Sequence, residues 1–234
     1  MIADTRTNAG VDDISVYRKL HMLADSPDRL VFAMSAGNLS ITQAVLASLA
    51  EGLPSGDPDL PVRTVANAPS MFRVAQLVGE AVHEQRAVIA KALEESQLAP
   101  SASMLLGGRI GDGPLKLFRL YSEGNFIECQ KEQPFLQIGE MKYGKPILDR
   151  ALQYDTELSE AVKVGLISFD STLRSNLAVG RPLDLVVIPA DPQGHVVQRR
   201  IGVDDAYFND LSARWSLMLN EARATIPDPP FMLG

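Results

Sequence analysis

One cysteine, Cys129, stands in a chain of 234 residues, which excludes a disulfide framework and any cysteine-based zinc or iron–sulfur site. Histidine is nearly as scarce. His21, His83 and His195 are dispersed, no two at metal-ligand spacing, so neither a metal nor a cofactor is expected. No apolar run approaches the ~20 residues of a membrane span. The opening MIADTRTNAG lacks a basic segment followed by an apolar one, so it does not read as a secretory signal. Positive charge is short too. Lys and Arg number 22 against 29 Asp and Glu, a net charge of −7, which leaves no field to neutralise a nucleic-acid backbone. The Gly-x-Ser-x-Gly element of many serine hydrolases is also missing. The 17 glycines and 15 prolines are scattered rather than gathered into a linker, and there is no internal repeat. A chain this long buries roughly 70–75% of its unfolded surface without staples. The expectation is an acidic, soluble, cytoplasmic protein with residues 1–234 as a single domain.

The hydrophobic pattern gives the order of elements. Ile14 to Leu23 alternates with neither side purely apolar, which predicts a strand with one functional or exposed face. Arg29 to Met34 reads as a buried strand ending at Ser35-Ala36-Gly37. The period then becomes helical. Asn38 or Ser40 caps a helix that Gly52 and Pro54 stop, and a longer one runs from about Ser70 to Glu95. Strands return at Met104 to Ile110 and Leu115 to Tyr121, around Gly111-Asp112-Gly113-Pro114, with Phe126 to Cys129 and Phe135 to Ile138 continuing the sheet. Helices are predicted at Gly144 to Tyr154 and Glu157 to about Asn176, strands at Leu183 to Ile188 and Val196 to Arg200, and a last helix over about Asp205 to Ala224. Antiparallel strands in series, alternating with helix pairs, fit an α+β fold. Two stacked sheets with a helix pair outside each would bury every apolar face: a four-layer α-β-β-α sandwich.

Gly139-Glu140-Met141-Lys142-Tyr143-Gly144-Lys145 matches part of a phosphate loop. The next position needs a Ser or Thr hydroxyl for Mg²⁺, and here it is Pro146, so a strand–turn–helix is the better reading. Gly107 to Gly113 lies between two strands and opens no helix, which makes it a bulge and turn. His83 lies beside a buried helical stripe, and Cys129 is expected to be a buried structural thiol.

The remaining features lie nearer the N-terminus. Asp4-Thr5-Arg6-Thr7-Asn8-Ala9-Gly10, then Lys19, then a strand ending Ala36-Gly37 before a helix, resembles the opening of proteasome-type subunits. The run DTRTNAGVDDIS with SAGNL, QIGEMKYGKPILDR and FDSTLRSNLAVGRPLDL resembles one branch in particular, Anbu, the bacterial ancestral beta-subunit family, from Asp4 to the C-terminal tail.

The resemblance implies an N-terminal nucleophile hydrolase, whose nucleophile is the hydroxyl of residue one, normally Thr, with the free α-amine as base. A lysine ammonium favours the alkoxide and an aspartate holds the lysine. Asp4 and Lys19 take those roles by resemblance, with Arg18 and His21 as near competitors for the lysine. The Gly37 N–H would form the oxyanion hole. Supporting positions are Gly139, Asp170 and Ser175. The residue after Gly139, a serine in proteasomes, is Glu140. Thr5 and Thr7 lie downstream of the aspartate and cannot act as nucleophile. The first strand, Thr-x-x-x-Gly, is expected to be absent, with Met1 inside the second. The implied function is a threonine-type peptidase subunit acting on polypeptides, inactive as written. The alternative is a non-catalytic structural or binding subunit. The implied partner is the chain itself, as a dodecamer of two stacked six-subunit rings or open, lock-washer-like turns, with the apolar Phe208 to Leu233 segment contributing contacts.

Overall fold

The computed structural model describes residues 1–8, 14–92 and 100–232. In chain order the elements are β1 (Ile2–Asp4), β2 (Arg6–Asn8), β3 (Ile14–Val16), β4 (Leu20–Ser26), β5 (Arg29–Gly37), α1 (Leu39–Glu51), α2 (Met71–Ala92), β6 (Ala102–Ile110), β7 (Lys116–Leu120), β8 (Phe126–Glu128), α3 (Lys145–Ala151), α4 (Leu158–Ser175), β9 (Leu183–Val187), β10 (Val197–Ile201) and α5 (Ala206–Thr225). All pairings are antiparallel. Strands β4 to β8 form a five-stranded sheet in sequence order, β1-β9-β10 a three-stranded one, and β2-β3 a separate ribbon. The predicted end of the second helix at Glu95 lies outside the described residues.

The strand alternation sorts the apolar side chains into three clusters. In β5, Val31 and Ala33 join residues of α1 and α2, whereas Phe32 and Met34 join Ala3 and Val186 of the three-stranded sheet. A third cluster unites Leu183 and Ile201 with Leu166 of α4 and with Phe208 and Leu211 of α5. Period-two alternation delivers successive residues to opposite faces, so one strand serves two cores. Phe32 is 1% exposed, and truncating a phenylalanine so placed costs about 3–5 kcal/mol.

Local chemistry sets the ends. Asn38 caps α1 by accepting from the Ile41 N–H at 3.1 Å, and Gly52, at φ +92°, closes it. Asp205 caps α5 through the Phe208 N–H at 2.9 Å. The position of α2 against the β7–β8 turn is fixed by bare backbone. A Cβ on Gly79 would lie 2.2 Å from the Gly124 carbonyl oxygen, and one on Gly124 2.5 Å from that of Gly79.

Three predicted elements differ. Ile14 to Leu23 is not one strand: its first half pairs with β2 and its second with β5, and residues 17–19 bridge the two. The Tyr17 N–H bonds to Thr5 O, and Lys19 O accepts from the Ser35 N–H. With no wholly apolar face, nothing kept the segment on one sheet. Phe135 to Ile138 is an irregular loop. Pro134 cannot donate to a ladder, and Leu136 and Ile138 pack, partly buried, against the inter-sheet cluster without one. Cys129 lies one residue past β8, half-buried, its thiol donating to Gln133 O at 3.1 Å. Burial, then Glu128, raises its pKa and leaves the thiol protonated and inert.

Candidate active site

Asp4 ends β1, where its Cα pairs with Leu183. Its carboxylate is buried and held from three directions. Oδ2 accepts the N–H of Arg6 at 3.1 Å and that of Gly180 at 3.2 Å, and Oδ1 accepts the Lys19 Nζ at 2.7 Å. The Lys19 side chain is 21% exposed, so its ammonium is shielded but reachable. Two backbone donors and an ammonium compensate a carboxylate at this depth.

The corner at residues 17–19 is what aims the lysine. Its carbonyl is pinned to the Ser35 N–H at 3.0 Å, two residues before Gly37 on β5. In an antiparallel ladder, amides two apart point the same way. The Gly37 N–H therefore faces the Lys19 side of β5, while the next amide, Asn38 N–H, turns the other way to Ser101 O at 2.8 Å. Gly37 is exposed, with φ +106°, and a Cβ there would lie 2.3 Å from Ser101 O, so only glycine fits.

Gly139, at φ +75°, lies against this strand end, and a Cβ on it would be 3.3 Å from the Ala36 Cβ. The Glu140 side chain accepts from Asn176 Nδ2 at 2.7 Å and from the Lys142 N–H at 2.6 Å. Asn176 Oδ1 in turn accepts from the Ala178 N–H at 2.8 Å, shaping the turn that carries Gly180 to Asp4. Asp4, Lys19, Gly37 and Gly139 are thus tied into one neighbourhood, with Glu140, Asn176 and Gly180 as linking members.

The other two supporting positions sit elsewhere. Asp170 is buried on α4, and its carboxylate bonds to Arg174 Nε at 3.2 Å, not to Asp4 or Lys19. Ser175 is exposed on the last turn and makes no side-chain hydrogen bond among the described residues. Gly180 went unnoticed in the sequence because a backbone donor leaves no side-chain signature, and Asn176 because its partner Glu140 lies 36 residues away. The competitors for Lys19 are engaged differently. Arg18 lies 3.9 Å from Asp184, which Arg200 grips with two nitrogens at 2.7 and 2.9 Å. The His21 Nε2 is buried without a partner, and burial, then Arg18, lowers its pKa against a smaller opposing pull from Asp184. Thr5 is fully buried with its hydroxyl on Pro182 O at 2.8 Å. Lys145 bonds to Asp149 at 2.6 and 2.7 Å, which leaves the partial phosphate-loop motif as a helix start. Among the described residues no Ser, Thr or Cys side chain bonds to Lys19, no cluster of three or more His, Cys, Asp or Glu could hold a metal ion, and no helix is long and apolar enough to cross a membrane.

The antiparallel mixed α/β architecture with an enclosed Lys–Asp pair defines the class to compare. No family model matches the chain, and no curated protein is significantly similar to it. Solved structures are. Anbu (ancestral beta-subunit) from Yersinia bercovieri aligns at 42% identity over 97% of this chain and 92% of that one, with a TM-score of 0.86. Anbu from Hyphomicrobium sp. strain MC1 aligns at 45% identity over 98% and 94%, with a TM-score of 0.86. A structure described as the helical assembly of the Anbu complex from Pseudomonas aeruginosa aligns at 41% identity over 98% and 92%, with a TM-score of 0.87. The chain belongs to the Anbu family.

Proposed function

We propose that this chain is a proteasome-type subunit of a self-compartmentalising particle. Its candidate site is Asp4, Lys19 and the Gly37 N–H, with Gly139 supporting. The observation that carries the reading is the 2.7 Å contact between the Lys19 ammonium and the Asp4 carboxylate, beside an amide aimed to the same side of β5. An ammonium so held favours a neighbouring alkoxide, and a fixed N–H at that point stabilises an oxyanion. These are the two electrostatic tasks of acyl transfer by an N-terminal hydroxyl. In this reading residues 1–234 form a single four-layer α-β-β-α domain, which the three hydrophobic clusters support. The particle is cytoplasmic and built from copies of the chain, acting on polypeptides. The helical assembly described for the Pseudomonas aeruginosa relative favours open, lock-washer-like turns over a closed double ring.

A second reading, a structural or binding subunit without peptidase activity, is favoured by one observation: no described hydroxyl or thiol bonds to Lys19. The two readings separate in one experiment. Fluorogenic peptides are incubated with the 234-residue chain and with a version carrying an added N-terminal Thr-x-x-x-Gly strand. The peptidase reading expects no cleavage by the first and Lys19-dependent cleavage by the second. Inactivity of a folded, assembled version with the added strand would leave the structural reading standing.

A further inference from the structure

We propose that the chain carries a second, non-catalytic site: a pocket for a small organic oxyanion between the C-terminal half of α4 and the start of α5. The pocket is an open depression of about 440 Å³, lined among others by Arg6, Asp170, Arg174, Arg181, Asn209 and Ser212, with Phe208 on an apolar wall. Arg174 and Arg181 set two guanidinium groups against the one carboxylate of Asp170, a local positive balance in a chain whose net charge is −7. A local reversal of that kind attracts anions.

Two of the arginines are held in place by neighbours yet keep donors to spare. Arg181 Nη1 bonds to Asn209 Oδ1 at 2.8 Å and to Gly202 O at 3.4 Å, and its guanidinium lies 5.1 Å from the centre of the Phe208 ring. Its Nε and Nη2 have no acceptor among the described residues. Arg174 is fixed at Nε by Asp170 and at Nη2 by Ser212 Oγ at 2.9 Å, and its Nη1 is likewise without an acceptor there. Planar forks with free N–H edges match carboxylate or phosphate oxygens, and a fork already pinned loses little freedom on binding. Small-molecule pockets run from roughly 300 to 1,000 Å³, so this volume suits an anion with a carbon body better than a bare inorganic ion. A carboxylate and a phosphate monoester share the required chemistry.

The proposal is tested by binding, which requires no turnover at Lys19. The purified 234-residue chain is titrated calorimetrically with succinate, citrate and glycerol 3-phosphate, and thermal unfolding is followed with the same compounds against sodium chloride at equal ionic strength. Saturable binding and stabilisation beyond that given by chloride are expected, and the ranking of the three probes shows which oxyanion fits. Arg181→Gln should weaken binding about tenfold, the loss of one forked contact. Ser212→Glu places a carboxylate beside Arg174 and should abolish binding while keeping or raising the melting temperature, so it stands even where Arg181→Gln unfolds. Arg214→Gln, on the exposed side of α5, should bind as the parent chain does. No binding to any of the three probes, equal stabilisation by chloride, or unchanged affinity in Ser212→Glu would each overturn the proposal.

Discussion

Glu140 and Asn176, 36 residues apart, meet at 2.7 Å and join the loop before α3 to the turn after α4. Removing one partner of a charge-assisted hydrogen bond costs about 1.5–3 kcal/mol. Asn176→Ala should therefore lower the urea midpoint at neutral pH. Asn176→Asp should do so further, because two carboxylates would then face each other, and should regain stability as the pH falls towards 4. Denaturation curves at two pH values check both.

Asp4 is held by two backbone amides as well as by Lys19. Removing its carboxylate leaves the lysine and both amides without their acceptor. Asp4→Ala is expected to cost about 3 kcal/mol or more, and Lys19→Met less, since the amides still satisfy the carboxylate. Equal losses in the two variants would contradict this division.

Glycine positions separate strain from space. Gly37→Ala meets both a positive φ and a backbone oxygen at 2.3 Å, and should cost about 2 kcal/mol or more. At Gly202 an added Cβ finds nothing within 4 Å, so Gly202→Ala should stay within about 0.5 kcal/mol of the parent. Melting temperatures of the two variants give the comparison directly.

The Met1 amine, buried and donating to Val186 O at 2.7 Å, has its pKa lowered to about 6 by burial, and that of His21 is lowered too. A cationic group with a depressed folded pKa binds fewer protons folded than unfolded. Stability is thus unpenalised above the unfolded pKa and falls as the pH drops towards the folded one. For the 234-residue chain, unfolding free energy should decline between about pH 8 and pH 6, by up to roughly 3 kcal/mol from the amine alone, with His21 adding to the loss below its ordinary pKa of 6.5. A flat profile across that window would refute the assignment.

Much of the element order was readable because apolar period carries it. The hairpin at Gly111–Pro114, the capped α1 and the long α2 all announce themselves through turn residues and spacing. The corner at 17–19 did not, since alternation cannot say that a strand changes partners midway. Phe135 to Ile138 misled for a related reason: an apolar run is buried, but burial does not require a ladder. Asp4, Lys19, Gly37 and Gly139 were singled out through family resemblance, and the structure brings them into one neighbourhood. Gly180 acts through its amide, which leaves no mark on residue type, and the Asp170 carboxylate bonds to Arg174 rather than to Asp4 or Lys19.

The contact between Gly79 and Gly124 has a consequence for how variation can proceed. Packing between side chains tolerates exchange, because one partner can shrink as the other grows. Here the nearest atoms on both surfaces are main-chain. An alanine at either position meets main-chain oxygen at 2.2 or 2.5 Å, and no second substitution across the contact can make room. Second-site rescue of either alanine must come through a shift of α2 itself, which would disturb the buried cluster that its own residues help to form. The junction behaves as a fixed datum, and compensatory change must accumulate elsewhere in the molecule.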